Sequence, residues 1–341
     1  MSQKRGETLR QFILENTGEH PQDIAAFTGE HFKISRQAVM KHIRKLIKSG
    51  LLQFEGTNRN RKYSLCPIVD QVWDYLPENV EGEDWLWHQD LVPLLKDLPP
   101  NVLGILQHCF TEMFNNIIDH SGGNAAHVHL TVDAVNTEIM LCDNGDGIFV
   151  KIQKELGLLD ERHAVLELSK GKLTTDPSRH TGEDIFFSSR LVDRFAILSG
   201  GVYFSHEHNT DIDWIAERGK FENGTCVFME IQNNSQRTAK EIFDQYSPEE
   251  NDYAFTKTVV PVRLAQYGDE LLVSRSQAKR LLVRVDRFKT VLFDFSDVKY
   301  IGQAFADEVF RVFQNNHPEI ELVPIHTNED VKKMISRAMS N

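Results

Sequence analysis

Glu112 and Asn116 stand four residues apart in CFTEMFNNIIDHS (109–121), a spacing that puts both side chains on one face of a helix. A carboxylate there can accept a proton during phosphoryl transfer, and an amide oxygen suits the oxygen-seeking Mg²⁺ ion. Farther on, Asp143-Asn144-Gly145-Asp146-Gly147-Ile148 follows two alternating apolar stretches, and glycine lets backbone come close to another group. His180-Thr181-Gly182-Glu183-Asp184-Ile185 opens a helical stretch, where free backbone amides can cradle phosphate. Asn223-Gly224-Thr225 leads into the strand-like CVFMEI. Each signal is weak alone. Glu and Asn at this spacing are common on helices, and an Asp/Gly-rich run is most often an ordinary turn. Their order along the chain gives them joint weight.

Together the four segments resemble the boxes of the GHKL ATPases, the class that includes histidine kinases, anti-sigma-factor kinases, type II topoisomerases and mismatch-repair ATPases. The resemblance implies ATP and Mg²⁺ as ligands. It makes Asn116 the Mg²⁺ residue and Glu112 the catalytic residue that activates a nucleophile near the γ-phosphate. Asp143 would accept a hydrogen bond from the adenine amino group, with Gly145 and Gly147 letting the backbone approach the base. Thr181 and Gly182 fall in the phosphate-cradling box, and Thr225 helps to bind adenine. Asp184 departs from the pattern, since the family has a second glycine there; a carboxylate repels phosphate unless it turns away or meets a cation. The polar span 151–181 takes the place of a mobile lid, with Lys170, Lys172, Arg179 and His180 either touching phosphate or acting as solvated loop charges.

The elements that must position these groups can be outlined from periodicity. Helical spacing runs through Trp85–Leu98 and Val102–His120, alternation marks strands at 125–132 and 137–142, and a helix at 183–198 precedes strands near 201–206 and 225–231. A histidine kinase would need a phosphoacceptor histidine on a dimerising hairpin. None is evident, and His108 reads as a core residue. The pairs His127/His129 and His206/His208 each fit one strand face, but no third metal ligand accompanies either.

Before this region, three helical stretches and the hairpin-like LLQFEGTNRNRKYSL (51–65) resemble the winged helix-turn-helix family, which implies DNA binding. A helix fits the major groove and reaches bases from its N-terminal end. Ser35, Arg36, Gln37 and Lys41 occupy that end of the third helix, while Arg59, Arg61 and Lys62 sit at the tip of the wing. Residues 1–65 hold 12 Lys+Arg against 6 Asp+Glu, in a chain whose net charge is −12. A basic head on an acidic body favours nucleic acid at one end only; a solvated basic surface or a protein-contact winged helix are the alternatives.

After it, TVLFDFSDVKYIGQAFADEVFRVFQ (290–314) resembles the STAS domains of anti-sigma-factor antagonists. Their phosphorylatable serine falls here on Gln303-Ala304, so a docking or dimerising role suits this tail better than phosphorylation by the middle region. The fold class expected is multidomain α/β: a mainly α winged helix with a β-wing (1–66), a linker (67–83), a GHKL-type α/β sandwich (84–235), a second linker (236–257) and a STAS-like α/β tail (258–341).

Apolar content of 40% and charged content of 26% describe a globular protein, and no apolar run approaches the ~18 residues of a membrane span. Cys66, Cys109, Cys142 and Cys226 are far apart and read as small buried hydrophobes in a reducing compartment. The expectation is a cytoplasmic, homodimeric, ATP-responsive DNA-binding transcriptional regulator, with a possible protein partner on the tail and no membrane. An anti-sigma-type serine/threonine kinase and a catalytically idle nucleotide-binding scaffold are the alternatives.

Overall fold

The computed structural model describes residues 2–57, 60–80, 82–173, 182–208, 212–217, 223–247, 255–266 and 270–340. Its first unit is helical. Helices α1 (Ser2–Asn16), α2 (Ile24–Phe32) and α3 (Arg36–Lys48) turn Leu9, Ile13, Ile24, Val39, Ile43 and Leu46 into a small core. On α3 the buried positions follow the helical repeat, and the exposed face keeps Arg36, Gln37 and Lys41 in solvent. Ser35 caps α3, its Oγ accepting from the Ala38 amide at 3.3 Å. Strands β1 (Leu52–Glu55) and β2 (Lys62–Leu65) form an antiparallel hairpin, fixed to the α1–α2 connection by the Tyr63 amide bonding the Pro21 carbonyl at 2.7 Å.

The body is a seven-stranded antiparallel sheet in the order β3-β4-β5-β9-β6-β7-β8. Its strands are β3 (Val69–Tyr75), β4 (Ala126–Val132), β5 (Asn136–Asp143), β6 (Arg194–Ser199), β7 (Val202–Glu207), β8 (Ile212–Glu217) and β9 (Thr225–Gln232). Strict alternation on β4 and β5 sends Val128, Leu130, Ile139 and Leu141 to one face. Helix α6 (Pro100–His120) lies against that face with Leu106, Phe110, Met113 and Ile117 buried, and Asn101 ties its start to the carbonyls of Ser235 and Arg237. Helices α4 (Glu83–Leu86) and α5 (Val92–Leu95) precede it; α7 (Ile148–Leu156), α8 (Glu161–Ser169) and α9 (Asp184–Leu191) complete the layer.

Helix α10 (Ala239–Tyr246) leads to the tail, a parallel sheet of β10 (Lys257–Pro261), β11 (Thr290–Asp294) and β12 (Glu321–Ile325). Parallel strands need crossover connections. Here these contain α11 (Arg275–Leu282), α12 (Gln303–Asp307) and α13 (Gln314–Asn316), and α14 (Glu329–Met339) ends the fold. Phe293, Phe305, Val309 and Val331 are buried, in one core continuous with that of the body.

Several elements differ from the sequence reading. The expected connector 67–83 carries β3, an edge strand that pairs with β4 from Val69↔Val132 to Tyr75↔Ala126 and packs Val69, Trp73 and Tyr75 against the core. Of the polar span 151–181, the described residues 151–173 are largely helix: α7 and α8 occupy them, with residues 163–169 all buried. The stretch 183–198 is α9 followed by β6, because Arg194–Ser199 pairs with both β7 and β9. The second expected linker contains α10, started by a Thr238/Glu241 capping box. Trp87–Leu91 and Glu308–Phe313 are π-turns within otherwise helical stretches. The cysteines also need correction. Strand pairing places Cys142 on β5 opposite Cys226 on β9, 4.1 Å apart at Cα and joined as a disulfide, while Cys66 and Cys109 remain free.

Candidate functional site

Between α6, α7, the strap after α8 and the strands β5 and β9 lies a cavity of ≈ 100 Å³. Asn116, Asp143, Gly147, Gly182, Asp184 and Thr225 contribute its polar wall, with Met113, Ile148, Val227 and Leu173 on the apolar side. Six segments separated in sequence therefore converge, as an apolar pocket with a few directed polar groups does at a ligand site.

One end of the cavity is preassembled. Asp143 terminates β5, and its Oδ1 accepts the Gly145 amide at 2.8 Å. Burial pushes this carboxyl above its ordinary range, while hydrogen bonds from the backbone at Gly145 and Thr225 pull the other way. Thr225 Oγ1 accepts the Ile148 amide at 3.0 Å, and Ser199 Oγ donates to the Gly224 carbonyl at 3.0 Å. The glycines have packing reasons of their own. Gly147 has φ +85°, and a Cβ there would lie 2.8 Å from Ser199 Oγ. A Cβ on Gly145 would collide with the Ser121 backbone, and Gly145 does not line the cavity. Its missing side chain admits the close contact between the turn and the end of α6.

The other end concentrates charge. Glu112 lies one turn before Asn116 on α6, set back from the cavity lining. Burial pushes its carboxyl up to about 7, helped by the negative charges of Asp184 and Glu83. His108 Nδ1 stands 3.8 Å from Glu112 Oε1; burial lowers the imidazole and Asp184 raises it. Asn116 Nδ2 is buried and has no hydrogen-bond partner among the described residues, which leaves this donor available to a ligand. Lys151 on α7 also lines the cavity, its Nζ donating to the His120 carbonyl at 3.0 Å. Sequence reasoning missed this cation because it treated residues 151–181 as a loop. Counting one turn of helix on from Gly147 would have placed it.

The other lysines proposed for phosphate belong elsewhere. Lys170 is sealed in by Glu167 and the Val283 carbonyl, and Lys172 reaches the Arg287 carbonyl over the rings of Phe255 and Phe288. Both side chains face the tail, while Leu168 and Leu173 of the same segment line the cavity. Thr181, Arg179 and His180 lie outside the described residues, as does Arg59 of the wing. His127 and His129 share a face of β4 but pair with Asp74 and Asp70 of β3, each at 2.7 Å. His206 is buried on β7 and His208 lies beyond its end. Among the described residues no cluster of three or more His, Cys, Asp or Glu could hold a metal.

In the head, Ser35 is engaged as a helix cap, while Arg36, Gln37, Lys41 and Lys62 are exposed. Arg61 stacks over Phe54 at 4.4 Å, which fixes its position on the wing. Arg44, Lys45 and Lys48 extend the exposed basic face along α3.

Comparison with known proteins bears on the tail. Residues 277–332 match a STAS-like domain of unknown function (DUF4325). No curated protein matches the chain. In this STAS-like domain Gln303 opens α12, and Ser296 closes a turn by donating to Asp294 Oδ1 at 2.8 Å. No helix among the described residues is long and apolar enough to cross a membrane.

Proposed function

We propose that the protein is an ATP-responsive, DNA-binding transcriptional regulator whose cavity binds nucleotide with Mg²⁺. The observation that carries this reading is the convergence of Asn116, Asp143, Gly147 and Thr225 on one cavity, with Asn116 Nδ2 buried and without a hydrogen-bond partner among the described residues. Asp143, held by the Gly145 amide at 2.8 Å, accepts from the adenine amino group, and Thr225 supports it from β9. Asn116 is placed to bind Mg²⁺, with the carboxylates of Glu112 and Asp184 supplying further negative charge at that end. The bound cation would neutralise phosphate charge. Glu112, its carboxyl shifted to about 7, can then take a proton from a nucleophile near physiological pH. Lys151 offers a cation to the phosphates from α7.

The head contributes the DNA contact. Arg36, Gln37 and Lys41 line the exposed start of α3, and Arg61 and Lys62 stand on the wing. Two heads in a homodimer would read paired half-sites. Nucleotide state changes DNA affinity only if the two states differ in how they present the heads. The test is calorimetric titration of the full chain with ATP in Mg²⁺ and in EDTA, then DNA titration with and without nucleotide. Binding of ATP with Mg²⁺ and a DNA affinity that differs between the two states are expected. Absence of ATP binding defeats the reading.

A further inference from the structure

The last turn of α8 and the strap after it, residues 167–173, form one wall of the cavity. Leu168 and Leu173 line the cavity, and the Leu173 amide donates to the Gly182 carbonyl at 2.9 Å. The polar groups of this strap are held by the STAS-like tail. Lys170 is 1% exposed; its Nζ donates to Glu167 Oε1 at 2.6 Å and to the Val283 carbonyl at 2.8 Å. Arg284 stands 3.5 Å from the other Glu167 oxygen and donates to the Lys172 carbonyl. Arg287 donates to that carbonyl at 3.1 Å, and Lys172 Nζ returns a bond to the Arg287 carbonyl at 3.1 Å. Thr258 Oγ1 donates to the Lys170 carbonyl at 2.7 Å. Phe255 packs so closely on Gly171 that a Cβ there would lie 2.6 Å from its ring.

This grip is a charge cluster centred on two fully buried groups, Glu167 and Lys170. Burial would raise the Glu167 carboxyl, but Lys170, His163 and Arg284 bring it below its ordinary range. A buried ionic group that loses one partner is left uncompensated, so the cluster has one favoured arrangement and strongly resists partial opening. The opposite wall is equally fixed, since Asp143 and Thr225 belong to the paired strands β5 and β9. The cavity between them measures ≈ 100 Å³, whereas a pocket that encloses a small-molecule ligand needs about 300 Å³ or more. The strap is the wall whose position depends on another domain, so its outward movement widens the cavity for a ligand of nucleotide size.

We propose that the STAS-like tail is an intramolecular regulator of the cavity: through Val283, Arg284 and Arg287 it holds the 167–173 strap inward, so that ligand entry and tail release are coupled. The proposal rests on the reading of the cavity as a nucleotide site. Coupling is reciprocal: whatever loosens the tail's hold raises nucleotide affinity, and nucleotide loosens the hold.

Full-length parent, Arg284→Ala, Arg284→Lys and Arg287→Ala proteins would be titrated with ATP and Mg²⁺ and followed by hydrogen exchange. Arg284→Ala should speed exchange across 167–173 and tighten ATP binding about fivefold or more. Arg284→Lys should restore part of the difference. Exposed Arg287 makes one bond to the strap, so Arg287→Ala should act in the same direction more weakly, and it decides the matter if Arg284→Ala does not fold. ATP should in turn speed exchange at 283–289 in the parent. Faster strap exchange with unchanged or weaker ATP affinity would overturn the regulatory role while leaving the nucleotide site intact. Unchanged strap exchange would show that the tail does not hold it. A parent that binds no ATP removes the nucleotide reading and this role together.

Discussion

Head and tail are attached to the body in opposite ways. The head has its own core, joined to the body through Val135, Ala134 and the contact between Asn234 and Glu15. The tail has none of that independence. Phe255 meets Phe186, Phe187, Tyr246 and Phe288 within ring-centroid distances of 4.6–5.3 Å for the three phenylalanines and 6.2 Å for the tyrosine, and the tail's buried residues join the body's core. A weak attachment leaves a domain free to reorient at little cost, whereas a shared core makes two domains one cooperative unit. Under the proposed function, the tail is built to feel the cavity and the head to be moved.

The largest effect that could break this comparison is Phe255→Ala, expected to cost about 3–5 kcal/mol. Tail and body should lose that stability together. The Trp residues, Trp73, Trp85, Trp87 and Trp214, all lie outside head and tail, so a lowered denaturation midpoint in tryptophan fluorescence reads the body directly. An unchanged midpoint would mean that the tail unfolds by itself. Its counterpart is Ile43→Ala in the head core, expected to cost about 2–5 kcal/mol. Circular dichroism should show earlier loss of helix while the tryptophan midpoint stays put; a joint shift would tie the head to the body.

Smaller effects sharpen the contrast. Arg36→Ala should cost on the order of 1–3 kcal/mol at particular bases, measured by anisotropy on a panel of duplexes. Arg61→Ala and Lys62→Ala should weaken binding to all duplexes and flatten the salt dependence by about one unit per lost phosphate contact. Uniform loss from Arg36→Ala would place α3 on the backbone instead. Smallest is a pH effect confined to the body. The folded state holds the Glu112 proton up to about 7, above the ordinary value of 4.5. Its protonation therefore favours the fold at low pH, and that contribution fades as pH rises from about 4.5 through 7. Glu112→Gln should remove this part of the slope in tryptophan-monitored melting temperature, and an identical slope in both proteins would show that Glu112 does not titrate there.

Local signals were legible in the chain. The helical repeat of α3, its Ser35 cap and the alternation of β4 and β5 each follow from a few consecutive residues. The meeting of Asn116, Asp143, Gly147 and Thr225 could be anticipated from spacing and resemblance, whereas the separation of Glu112 and Gly145 from the cavity lining could not. What escaped depends on long-range pairing. Edge strand β3 is mostly exposed and flanked by Pro67 and Pro77, and Cys142 and Cys226 meet across β5 and β9 from 84 residues apart. Lys170 and Lys172 look like surface charges until Val283, Arg284 and Arg287 arrive from the tail. For Lys170 the local partner Glu167 is visible in sequence, but the Val283 carbonyl and Arg284 that seal the pair come from more than 100 residues away.

The central claim is that the body's cavity is a nucleotide site organised by Asp143, and calorimetric titration of parent and Asp143→Asn proteins with ATP and Mg²⁺ tests it most directly. Asn can still accept the Gly145 amide that now bonds Asp143 at 2.8 Å, so the fold should survive, as the tryptophan-monitored midpoint would verify. Loss of a charged acceptor for the adenine amino group should weaken binding by at least about tenfold. Equal affinity in the two proteins, or no binding by the parent, would contradict the account.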